Sequence, residues 1–121
     1  MGLVIREATK ADIDAINGVA QSPTTRALVA EVDGVKIGIG GYYIREGRYY
    51  GFRDLSSTDA APYRLAIARA AKRFMRDAEK RGIKRMYTIV DFDEPRALCW
   101  VTSLGFWPDD HYRKLYRWSA N

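Results

Sequence analysis

Apolar and polar positions alternate or recur along the chain in a way that assigns most of its elements. Leu3-Val4-Ile5-Arg6 has the character of a short buried strand. Thr9 follows as an N-cap for a helix that places Ile13, Ile16 and Val19 on one side and Asp12 and Asp14 in its first turn. After the interruption at Asn17-Gly18 and Gln21 to Thr25, Ala27 to Val32 forms a strand that runs into Asp33-Gly34, a hairpin signal. Its partner runs from Val35 to Ile44, where Gly38, Gly40 and Gly41 mark bulges or close approaches. Glu46-Gly47 turns the chain into a third meander strand, Arg48 to Leu55, in which Tyr50, Phe52 and Asp54 share one face and Tyr49, Gly51, Arg53 and Leu55 the other.

Ser56 to Pro62 has the composition of a loop, and a long helix follows over roughly Pro62 to Arg81, capped by Gly82. Ile67, Ala70, Ala71, Phe74 and Ala78 recur at helical spacing and form its buried stripe. Met86 to Val90 is apolar enough for a strand buried on both faces, and a helix separates it from the meander, so the connection is a parallel crossover. A second helix starts at Asp93-Glu94-Pro95 and is closed by Gly105; Tyr112 to Trp118 alternates as the last strand, with His111 in the turn that Trp107 to Asp110 leads into. The order is β-α-β-β-β-α-β-α-β. This predicts an α+β layered domain over residues 1–121, an antiparallel meander joined to a crossover.

Composition narrows the chemistry. The 121 residues suit one core, and 47% apolar with 29% charged is ordinary for a globular protein. No apolar run is long enough for a bilayer and no leader is recognisable, so neither spanning nor secretion is expected. One cysteine, Cys99, and one histidine, His111, exclude an internal disulfide and make a metal site or a Ser-His-Asp triad poor expectations. The net charge of +5 is uneven: residues 63–85 carry +7 and the remainder −2. Arg69, Lys72, Arg73, Arg76 and Lys80 fall opposite the buried stripe of the long helix, a face that is either solvated or set against an anionic partner such as a nucleic-acid backbone.

Three stretches, in this order and spacing, resemble the GNAT superfamily of acetyl-CoA-dependent N-acetyltransferases: Ile5 to Asp12, Val29 to Gly38, and Asp93 through the Leu104-Gly105-Phe106 that ends the last helix. The resemblance covers nearly the whole length. It implies a mixed sheet with helices on both faces, acetyl-CoA as co-substrate and an amine as acceptor. It places the pyrophosphate at the turn before the long helix, where main-chain N–H groups and the helix dipole hold an anion. That assigns cofactor binding to Leu55, Ser56, Ser57, Thr58 and Arg64, with Leu55-Ser56 at the thioester carbonyl. For the amine proton the candidates are Glu46, Asp54 and one of Tyr43, Tyr49 and Tyr50, and Asp54 is preferred because the strand ends beside the expected acyl position.

Two departures from the family pattern shape the expectation. No glycine lies between Gly51 and Gly82, where the family has a glycine-containing phosphate loop, and Val101 stands where many members have a proton-donating tyrosine. A similar glycine-poor outline belongs to GNAT-like proteins of tailed phages, some of them virion components. The alternatives are therefore a cytoplasmic N-acetyltransferase and a catalytically inactive GNAT-like binding or virion-associated protein, either of which admits a homodimer. Structural roles are the plainer expectation for several residues: Asp54 as partner of Arg53, His111 at the surface, Cys99 in the core.

Overall fold

The computed structural model describes residues 2–15, 25–55, 57–90, 95–110 and 114–120; for residues 57, 58, 95–97 and 110 it describes the backbone. His111 and Ser56 lie outside the described residues, as do Ile16, Val19 and Asp93. Among the described residues, seven strands form one mixed sheet in the order β1-β2-β3-β4-β5-β7-β6. They are β1 (Leu3–Glu7), β2 (Arg26–Val32), β3 (Val35–Arg45), β4 (Arg48–Leu55), β5 (Arg85–Ile89), β6 (Trp107–Asp110) and β7 (Leu115–Ser119). The helices are α1 (Lys10–Asp14), α2 (Ser57–Ala60), α3 (Arg64–Lys80) and α4 (Pro95–Ser103), with a 3-10 turn, Ala61–Tyr63, between α2 and α3.

β1 to β4 form an antiparallel meander. Its hairpins turn where Asp33 and Gly34 take φ of 52° and 80°, and Glu46 and Gly47 take 52° and 76°, the paired positive values that a tight two-residue turn requires. The crossover through α3 returns the chain parallel to β4, as the sequence pattern predicts. One strand differs from expectation. Trp107 to Asp110, expected to lead into a turn, pairs with β7 as β6. Its edge position tolerates Pro108, which can donate no ladder hydrogen bond.

Register divides the sheet into two faces. Gly38, Gly40, Tyr42, Gly51, Arg53, Leu55, Met86 and Trp118 share one. Tyr42, Met86, Tyr116 and Trp118 on it pack with Met75 and Ala78 of α3 and Val101 of α4, so α3 and α4 cover this side. A second cluster joins Ala30 and Ile37 to Ala60 and Ile67 beneath the start of α3. On the opposite face Arg6 binds Asp12 of α1, which puts helices on both sides of the sheet. That face also carries Tyr43 stacked on Tyr50 at 5.8 Å, with Tyr87 6.1 Å from Tyr50. Of the stripe predicted on α3, Ile67, Ala70 and Ala78 are buried, Ala71 and Phe74 are half-buried, and Met75 joins the buried set. β5 is buried on both faces at Met86 and Tyr87 but not at Ile89, which is 71% exposed, because β5 leaves β4 after Tyr87 and takes away the neighbour that would cover it.

Candidate functional site

The site begins where two strands part. β4 and β5 pair through Tyr50 and Tyr87 alone among the described residues, and the Thr88 hydroxyl then donates to the Gly51 carbonyl at 3.2 Å. Beyond that point β4 stays with β3, pairing Asp54 with Ile39 and Leu55 with Gly38, while β5 stays with β7, pairing Thr88 with Tyr116 and Ile89 with Leu115. A side-chain hydroxyl satisfies the last shared carbonyl, so the ladder can end without leaving it unbonded. The gap opens under α3 and α4.

This gap holds two connected spaces. An inner chamber of about 230 Å³ lies between sheet and α3 and is lined chiefly by apolar groups, among them Leu28, Gly40, Gly51, Ile67, Phe74 and Met86. An outer groove of about 460 Å³ runs between the start of α3 and the face of α4, where Arg64, Ala68, Cys99 and Ser103 line it. Arg53, Leu55, Ile67 and Trp100 border both spaces. At their junction the Arg53 guanidinium sits 5.3 Å from the centroid of the Trp100 ring, a cation–π contact linking β4 to α4. An apolar interior thus opens to a mouth carrying two guanidinium groups.

Of the residues that the resemblance assigns to cofactor binding, Leu55 is half-buried at the junction, and Arg64 is exposed at the first turn of α3 with its side chain on the groove. Ser57 and Thr58 form the first half of α2. The segment expected as a loop is therefore a correction: residues 57–63 are helical throughout, an α-turn followed by a 3-10 turn that runs into α3. With no glycine to break it and Pro62 in the first turn of the 3-10 segment, where its missing N–H costs nothing, the chain continues as helix. Main-chain donors are then confined to the first turn of α2, and the charge facing the groove comes from Arg53 and Arg64.

Asp54 is exposed and, by strand alternation, points to the face opposite Leu55 and the chamber. It lies in the part of β4 that has left β5. Tyr50 shares that face at the point of divergence. Glu46 sits in the β3–β4 turn, at the other end of the hairpin from Leu55, and Tyr43 lies on the Asp54 face in the aromatic group. Tyr49 is on the helix-covered face, edge-on to Tyr42 at 5.7 Å. Val101 is buried in the core. Cys99, expected in the core, is exposed, because the turn that buries Val101 aims Cys99 and its i+4 neighbour Ser103 at the groove.

Sequence reasoning missed Arg53 and Trp100 as site residues. Strand alternation already grouped Arg53 with Gly51 and Leu55, and the one-step offset of Trp100 from Cys99 and Val101 was the other available signal. Among the described residues no three metal-ligating side chains cluster, and no helix is long and apolar enough to cross a membrane.

No family model and no curated protein matches this chain. Solved structures do match it. The ribosomal-protein-S18-alanine N-acetyltransferase from Escherichia coli superposes with a TM-score of 0.70 at 14% identity, over 98% of this chain and 94% of that one. An IAA acetyltransferase from Bacillus cereus ATCC 14579 gives 0.63 at 13% identity over 98% and 100%. An N-acetyltransferase from Staphylococcus aureus Mu50 gives 0.61 at 11% over 98% of each chain. At these identities the matches speak for architecture rather than substrate, and the fold of this chain is that of the GNAT N-acetyltransferases.

Proposed function

We propose that the chain, as a single domain over residues 1–121, is a CoA-dependent N-acyltransferase that moves an acetyl group from acetyl-CoA to an amine. One observation carries this reading: the divergence of β4 and β5 opens a two-part cavity whose mouth bears Arg53 and Arg64. A group the size of water fills about 30 Å³, so the outer groove takes on the order of fifteen such groups, the bulk of a pantetheine arm. In this reading Arg64 meets its phosphates, since guanidinium pairs oxyanions with two donors at once. The first turn of α2, from Ser57 and Thr58, together with Ser56, supplies the remaining main-chain donors.

The thioester supplies an acyl carbon already activated toward nitrogen. The acceptor amine approaches from the Asp54 face, and Asp54 takes its proton directly or through water, which leaves the nitrogen lone pair free to attack. A C–N bond forms and the C–S bond breaks. The sulfur takes its proton from solvent, since Val101 has none to give and is buried in the core. That last feature, with the helical segment 57–63, favours a second reading, in which the chain binds the same ligand without transferring its acyl group, as a GNAT-like binding or virion-associated protein. The first reading goes with a cytoplasmic setting. Either admits a homodimer and an anionic partner on α3.

Titration calorimetry with acetyl-CoA tests both. Saturable binding is expected, weakened about tenfold or more by Arg64→Glu, which turns an attraction for phosphate into a repulsion. No heat at millimolar ligand overturns the proposal. Binding without transfer to any of a panel of primary amines supports the second reading.

A further inference from the structure

We infer that the inner chamber is a binding site for an acyl chain of medium length, so that the site takes acyl-CoAs longer than acetyl-CoA and binds them more tightly. This rests on the CoA reading above but goes beyond it, because it assigns the space behind the Arg53–Trp100 junction.

The argument starts from Gly40. A Cβ at Gly38 would collide with the Leu55 side chain, and one at Gly51 would press on the Met86 sulfur at 3.2 Å, so packing explains both glycines. At Gly40 a Cβ would meet just the Phe52 carbonyl, at 3.4 Å. A strand interior ordinarily carries a side chain there, since glycine weakens a strand and adds nothing to the core. Gly40 shares its face with Arg53 and lies on the floor of the chamber beneath α3. Its bare backbone leaves open a volume that an apolar residue would fill.

Volume decides what the space suits. Taking about 30 Å³ per water-sized group, the chamber's roughly 230 Å³ admits on the order of seven groups, whereas an acetyl group would occupy a small part of it. The space is open toward the groove, and water entering it gains few hydrogen bonds among Leu28, Ile67, Phe74 and Met86. An alkyl chain of about six to eight carbons restores the missing contacts and leaves its thioester at the junction, where Leu55 and the polar groove begin. Polar mouth and apolar interior together match an amphipathic thioester.

Calorimetry on the full chain with acetyl-CoA, octanoyl-CoA and octanoate distinguishes this from the transferase reading. Octanoyl-CoA should bind at least about tenfold tighter than acetyl-CoA, through added apolar burial. Gly40→Val should bring octanoyl-CoA down to the affinity of acetyl-CoA. Should Gly40→Val not fold, as judged by thermal denaturation, Ala71→Leu intrudes on the chamber from the helix side and should have the same effect. Equal affinity for the two thioesters in the unaltered chain overturns the acyl chamber and leaves the transferase reading intact. If neither thioester binds, the transferase reading falls; octanoate binding that Gly40→Val abolishes then upholds the chamber, and its absence overturns that too.

Discussion

Asp12 shows how far a single side chain is determined by residues distant in sequence. Its carboxylate accepts from the Thr9 N–H at 2.7 Å and hydroxyl at 2.9 Å, from Arg6 at 2.8 Å and from Lys36 at 2.9 Å, and Arg6 also binds Glu31. The Thr9 cap was legible, because a Thr three residues ahead of an acid is a local helix-start pattern. Lys36 was not, since it arrives from another strand and nothing local announces it. Arg6 above all, then Lys36, then the Thr9 amide hold the Asp12 carboxyl well below its ordinary value of 3.8. Asp77 is lowered in the same direction by Arg26 and Arg81. In the unfolded chain both carboxyls regain ordinary values and bind protons first as pH falls. The stability they contribute is therefore complete above about pH 4 and is lost as pH drops through the acid range. Thermal denaturation followed from about pH 7 to pH 3 should show the midpoint falling steeply below about pH 4. Asp12→Asn should flatten that fall and lower stability at neutral pH by about 2 kcal/mol, since Arg6 and Lys36 are exposed enough to regain water. An unchanged pH profile would reject the role given to Asp12.

At the scale of elements, α3 carries two separate patterns on one helix. Ile67, Ala70, Met75 and Ala78 are buried, and Gly82, at a φ of 91°, ends the run as its sequence position suggests. Arg26 binds Asp77 at 2.9 Å, and Arg81 binds the same carboxylate at 2.8 Å, which ties α3 to β2. The other face holds Arg69, Lys72, Arg73, Arg76 and Lys80, all exposed, as the helical spacing predicts. A nonspecific duplex tests whether this face takes the anionic partner proposed for it, since cationic side chains contact phosphates without reading bases. Binding to a nonspecific duplex should then weaken with salt, with a slope of log K against log salt of about −4, and the triple change Lys72→Glu, Arg73→Glu, Arg76→Glu should abolish it. A flat salt response, measured by fluorescence anisotropy, would show the face to be solvated and nothing more. The body of α3 was legible because its period is regular over many turns. Its beginning was not: Ser, Thr, Asp and Pro serve a loop and a first helical turn equally well, and the choice was made by Ala60 packing with Ala30, Ile37 and Ile67.

Across the whole molecule, what local pattern could express is the meander and the crossover, and what it could not is where the strands separate. Asp33-Gly34 and Glu46-Gly47 announce their turns, but the parting of β4 from β5, where the Thr88 hydroxyl reaches the Gly51 carbonyl, is a long-range matter. Ile89 and Cys99 were misjudged for that one reason: each is apolar or small in a run of buried neighbours, and each borders the gap. The same geometry makes stability answer to the ligand. A molecule seated between the diverging strands contacts β4, α3 and α4 together, contacts that do not exist in the unfolded chain. Ligand at a hundred times its dissociation constant should add about 2.7 kcal/mol. For a chain of this length that raises the midpoint of thermal unfolding by about 10 °C. Calorimetric scans with and without acyl-CoA should show this rise, and it should shrink in Arg64→Glu at the same ligand concentration. A midpoint indifferent to millimolar acyl-CoA would mean that the gap between β4 and β5 does not take up the thioester at all.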